Sequence, residues 1–150
     1  MEHISKIKIV DDIKLRNQIV TLYKKANHET AVEWSIAIAT RLLKVSEFNN
    51  DSTVNEGIKL VKMWSVGKAN LQTVRQASFA IHKLARETEN IVDKTILRCL
   101  GQAIASVHVK EHALIASDYA IKSIGLINDN DIKKISQSRK YQLYLLRSLI

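Results

Sequence analysis

Thr95–Ile127 reads TILRCLGQAIASVHVKEHALIASDYAIKSIGLI. Nearly every residue is a helix former. Leu97, Leu100, Ile104 and Val107 recur at helical spacing, and Leu114, Ser117, Ile121 and Ile124 do so beyond them. Gly101, Ala103, Ala105, Ala113, Ala116 and Ala120 let a second helix approach this backbone closely, which suits the middle of a bundle. His108 and His112 lie one helical turn apart between the two apolar runs. Whether these are two helices or one rod kinked around His108–Glu111 stays open at this level.

Working outward, Ile4, Ile7 and Ile9 alternate weakly, so residues 1–10 read as an arm or a short strand. Asp11 or Asp12 can cap a first helix carrying Ile13, Ile19, Val20, Leu22 and Tyr23. The pattern breaks near Asn27-His28 and resumes with Ala31, Trp34, Ser35, Ile38, Leu42 and Val45. SEFNND, from Ser46 to Asp51, is a polar loop. Thr53-x-x-Glu56 has the form of a capping box for a third helix, which Gly67 is placed to end. Asn70 and Asn90 cap the next two. Gly125 and Asn128–Asp131 close the central unit, and a last helix follows from about Asp131 to Leu149.

The chain has 150 residues, 46% of them hydrophobic, with four glycines and no proline. So few chain breakers favour helices joined by short polar turns over a β fold. The expectation is an all-α protein: one compact bundle of about six to seven helices, a single domain over residues 1–150. Residues 1–10 would be an arm and 131–150 a basic C-terminal helix. One cysteine excludes an internal disulfide, and the first residues lack the apolar core of a signal peptide. No apolar run reaches the ~18 residues of a membrane span. These features point to a cytoplasmic protein without a membrane partner.

Formal net charge is +8, which suits nucleic acid, an anionic surface or an acidic protein and does not choose among them. Lys133, Lys134, Arg139, Lys140 and Arg147 meet no acidic residue after Asp131, and Tyr141 and Tyr144 lie among them. A nucleic-acid-associated helical protein is therefore the alternative reading, although no reading-head motif accompanies the charges.

His108-Val109-Lys110-Glu111-His112 has the H-x-x-E-H form of inverted zinc peptidases. On a continuous helix its histidines would share a face, but the chain is too short for that fold. A zinc site using His82, His108 and His112 competes with ordinary hydrogen bonding of three histidines at packing surfaces, which is the better reading. On that reading no cofactor is needed, and His108→Ala and His112→Ala chiefly lower stability. Cys99 has no adjacent base and reads as a buried thiol. Asp11 and Asp12 point in different directions on a helix and suit capping. Trp34 and Trp64 read as core. No phosphate loop, G-x-S-x-G or CxxC motif is present, so no enzyme activity is expected.

Trp64-Ser65-Val66-Gly67, Arg75-x-Ala77, His82-x-x-Ala85-Arg86, Gly101-Gln102-Ala103, His108-Val109-x-x-His112-Ala113 and Tyr119-Ala120-x-Lys122 occur in that order. Together they resemble the immunity proteins of bacterial toxin systems, small all-helical cytoplasmic proteins. The resemblance covers about Thr30 to Ile127 and leaves the basic last helix outside as an addition. It implies binding and neutralisation of a cognate protein toxin without catalysis. By that resemblance His82, Arg86, His108, His112, Tyr119 and Lys122 are the candidate binding residues, whether they touch a toxin or hold the bundle together. The small-residue faces leave a homodimer open.

Overall fold

Among the described residues, six of the seven helices begin the same way: an Asp or Asn outside the helix accepts a backbone N–H of the first turn. A computed structural model describes residues 3–150, so the first two residues of the expected arm lie outside the described residues. The caps are Asp12 for α1 (Ile13–Lys25), Asn27 for α2 (His28–Leu43) and Asp51 for α3 (Ser52–Ser65). Asn70 caps α4 (Leu71–Glu87), Asn90 caps α5 (Ile91–Ala105) and Asp131 caps α7 (Ile132–Leu149). Each such bond satisfies a donor that the helix itself cannot, and each contributes about 1 kcal/mol. The seventh helix, α6 (His112–Ile127), has no side-chain cap, because it grows directly out of the preceding turn.

The architecture is the expected all-α bundle, with no strand among the described residues. The arm is extended, its odd-numbered residues turned inward and its even-numbered ones exposed. Two local expectations need correction. The capping box at Thr53 does not form: Asp51 Oδ1 accepts from Val54 N–H at 3.1 Å, which starts α3 one residue before Thr53. Gly125 lies inside α6 and does not end it; the expected Asn128–Asp131 turn does, with Asp129 and Asn130 both at positive φ. Gly67 does end α3. At φ 74° it lets Lys68 N–H reach Met63 O and its own N–H reach Trp64 O.

α5 and α6 form an antiparallel hairpin at the centre, so the undecided segment is two helices separated by Ser106–Glu111. α4 and then α3 pack on one side of α5, α2 lies across the hairpin, and α7 with α1 closes the other side. The core runs through all of them: Ile19, Trp34, Ile81, Leu97, Leu100 and Leu146 are excluded from solvent. Trp34 also donates its indole N–H to the Gln142 carbonyl at 2.9 Å, tying α2 to α7. Trp64 is only half-buried, against the His28 ring.

The last helix is no appendage. Of its five basic residues, Arg139 is wholly buried, so it is not part of the basic surface that the nucleic-acid alternative would use. Arg139 lies four residues after Ile135 and four before Leu143, on the stripe that faces the core.

Candidate interaction surface

The segment from Ser106 to His112, which contains the H-x-x-E-H stretch, holds the bundle together through five of its residues. At its start, His28 of α2 donates from Nε2 to the Ser106 carbonyl at 2.6 Å. His108 donates from Nε2 to Leu71 O at the start of α4, 2.8 Å away. Lys110 Nζ donates to Tyr23 O and Ala26 O at 3.1 and 2.6 Å, satisfying carbonyls at the end of α1, and it lies 4.5 Å above the Tyr23 ring. Glu111 receives Lys6 of the arm at 3.3 Å and His3 at 3.5 Å. His112 bonds Gln102 of α5 through Nδ1 at 2.6 Å. Four neighbouring residues thus reach four different elements.

That arrangement differs from the one the zinc alternative would need. His108 stands in the turn and His112 opens α6, so they do not share one helix face. His82 accepts a 2.8 Å hydrogen bond from Arg98 at Nδ1, an atom a metal would need. Among the described residues no three His, Cys, Asp or Glu side chains are grouped to hold a metal. Burial, followed by the charges of Arg98 and Arg86, pushes His82 down to about 4, so the ring is neutral at physiological pH. Its far edge packs on Gly101, where a Cβ would come within 2.6 Å of the ring. His112 is also lowered, first by burial and then by Lys6.

Of the other sequence candidates, Arg86 is exposed, while Tyr119 and Lys122 are half-buried on α6. Arg86 and His112 both disfavour the charged form of His82 and so lie near it, among α4–α6. Cys99 is fully buried, with its thiol pushed far up by desolvation.

Sequence reasoning missed the most polar place in the interior. Asp118 of α6 takes a bidentate pair from Arg16 of α1, at 3.0 and 2.9 Å, and a 2.7 Å bond from Arg139 of α7. Arg139 holds Asp11 bidentately at 2.8 and 2.7 Å, and also Gln142 at 2.8 Å. Arg16 reaches back to the His3 carbonyl at 2.6 Å, fastening the arm. Two cations and two anions cancel. Burial alone would raise the Asp118 carboxyl, but the two guanidiniums outweigh it and hold it below its usual value. The available signal was a charged residue on an apolar stripe: Arg16 with Ile19, Val20 and Tyr23, and Asp118 with Leu114 and Ile121.

On the outside, α2 and α3 flank a groove of about 1010 Å³ with Ile36, Val61 and Trp64 on its walls and Glu33 on its rim. Arg41 lies 3.9 Å over the Tyr141 ring at its edge. Tyr141 is therefore committed to a cation–π contact, and Tyr144 is left as the exposed aromatic of α7.

The family model described as "Imm-5 like putative immunity protein" matches residues 21–148. The chain belongs to that family. The match takes in the whole central hairpin and nearly all of α7, so the basic last helix is part of the family unit and not an addition to it. This corrects the narrower span read from the motifs. No curated protein and no solved structure matches the chain. No helix among the described residues is long and apolar enough to cross a membrane.

Proposed function

We propose that this protein is a cytoplasmic immunity protein that binds a cognate bacterial toxin and neutralises it by stoichiometric protein–protein contact, without catalysis. The observation that carries this reading is the family match over residues 21–148. The chemistry of the candidate residues agrees with it. The histidines that suggested a metal site are engaged in internal hydrogen bonds, and the single thiol is buried and protonated. Of the residues the family resemblance singled out, Arg86 is the one fully presented to solvent and free to meet a partner.

The test is co-expression with a candidate toxin from a neighbouring gene. Growth should be restored only when the protein is made in at least equal amount, and a 1:1 complex should co-elute on gel filtration. Protection by far less protein than toxin would point to an enzyme acting on the toxin. Absence of both protection and complex would remove the reading.

A further inference from the structure

α1 and α7 pack against each other, and neither helix contains an aspartate or glutamate. Their cations divide sharply. Arg16 and Arg139 are buried and neutralised within the interior network, whereas Lys14, Lys24, Lys25, Lys133, Lys134, Lys140 and Arg147 are all exposed. None of these seven has an ion-pair partner among the described residues. The carboxylates at the start of the two helices have bonds of their own: Asp11 to Arg139, Asp12 to the first turn of α1 and to Ser136 at 2.8 Å, and Asp131 to the first turn of α7.

Over the seam of the two helices lies a shallow trough of about 530 Å³. Lys14, Lys25 and Arg147 line it, Leu22 and Leu143 give it an aliphatic floor, and Thr21 supplies a neutral polar wall. Lys14 and Lys25 are eleven residues apart on one helix, about 16 Å at 1.5 Å per residue. An extended peptide covers that length in about five residues at 3.3 Å each.

We infer that this trough is a docking site for an extended acidic segment of a partner protein, with carboxylates at both ends and an aliphatic residue between them. The inference rests on the immunity reading for the identity of the partner, which would be the toxin. Charge selects the occupant. A second copy of the same face would bring like charges together, which disfavours self-association here. The leucine floor, with no aromatic side chain lining the trough, fits an aliphatic side chain better than a base, which binds by stacking.

The probe is the capped peptide Glu-Glu-Leu-Glu-Glu, titrated into the intact protein while backbone amide resonances are followed. Shifts should cluster at residues 14–25 and 143–147 and weaken as salt is raised. The Lys14→Glu, Arg147→Glu double variant should bind about tenfold more weakly with its thermal unfolding unchanged. Shifts elsewhere, or none, overturn the inference. So does tighter binding of a twelve-nucleotide DNA strand to the same residues, which would make the face a nucleic-acid surface. In the co-expression assay the double variant should lose protection. Full protection by that variant overturns the trough and leaves the immunity reading standing. If the wild-type protein fails to protect, the immunity reading falls, and the peptide titration decides the trough alone.

Discussion

Arg139 of α7 and Asp118 of α6 sit 2.7 Å apart, and neither side chain reaches solvent. Such a pair adds little over an apolar replacement of both partners, but breaking it leaves a charge stranded. Arg139→Met strands Asp11 and leaves Asp118 with Arg16 alone. It is expected to lower unfolding stability by about 3–5 kcal/mol in urea denaturation followed by circular dichroism. The exposed neighbour Lys140→Met should change stability by no more than about 0.5 kcal/mol. Equal effects from the two substitutions would contradict the network.

Acid should destabilise the protein in two stages. His82 is held down to about 4 in the fold by burial, Arg98 and Arg86, against 6.5 in the unfolded chain. Between those values the unfolded state binds the extra proton, so stability falls as pH drops from 6.5 towards 4. Asp118, lowered from 3.8 by its arginines, contributes stability above that value and loses it at more acid pH. Denaturation midpoints at half-unit steps should show the first decline in the wild type and a smaller one in His82→Phe, where the lowered His112 still contributes.

Gly101→Ala places a methyl 2.6 Å from the His82 ring, and the expected cost is about 1–3 kcal/mol. The ring is pinned by Arg98 and cannot swing away freely. Gly57→Ala meets the mobile end of Ile104 at 2.8 Å and should cost less. Adding His82→Ala to Gly101→Ala should recover most of the loss in a double-mutant cycle. Additive costs would rule the contact out.

Cys99 donates its S–H to the Ala116 carbonyl at 3.2 Å, and burial keeps the thiol protonated. A colourless-to-yellow disulfide reagent should leave the native protein unmodified and react within minutes in 6 M guanidinium, a denaturing concentration of about that order being well past typical midpoints. Reaction of the native form at the rate of a free thiol would place Cys99 near the surface.

His108→Ala and His112→Ala each remove one hydrogen bond from the turn, and about 1 kcal/mol of stability should go with each. If either variant keeps its unfolding midpoint yet no longer protects against the toxin, the histidine contacts the partner and does not act through packing.

The helices were legible because their signals are local. Asn27, Asn70, Asn90 and Asp131 each announce a start within three residues, and the apolar stripes of α2 and α5 follow one period. The polar interior was not, because its meaning depends on partners 102 and 128 residues away in Arg16–Asp118 and Arg139–Asp11. A buried arginine and a solvated one look alike until the stripe of its own helix is weighed, as Arg139 shows. The histidine spacing misled for a related reason. His108 and His112 share a face only on an unbroken helix, and the backbone turns between Ser106 and Glu111, where each polar side chain finds a different neighbour.

Asp11 and Asp118 also set an order of events during synthesis. The guanidinium that bonds both lies on α7, which leaves the ribosome after the six helices before it. Until it emerges, Asp11 has no cation to accompany it inward, and α1 cannot seat for good. The nascent chain therefore stays open along the α1 flank and closes only when α7 arrives, so seating of the first helix waits for the seventh.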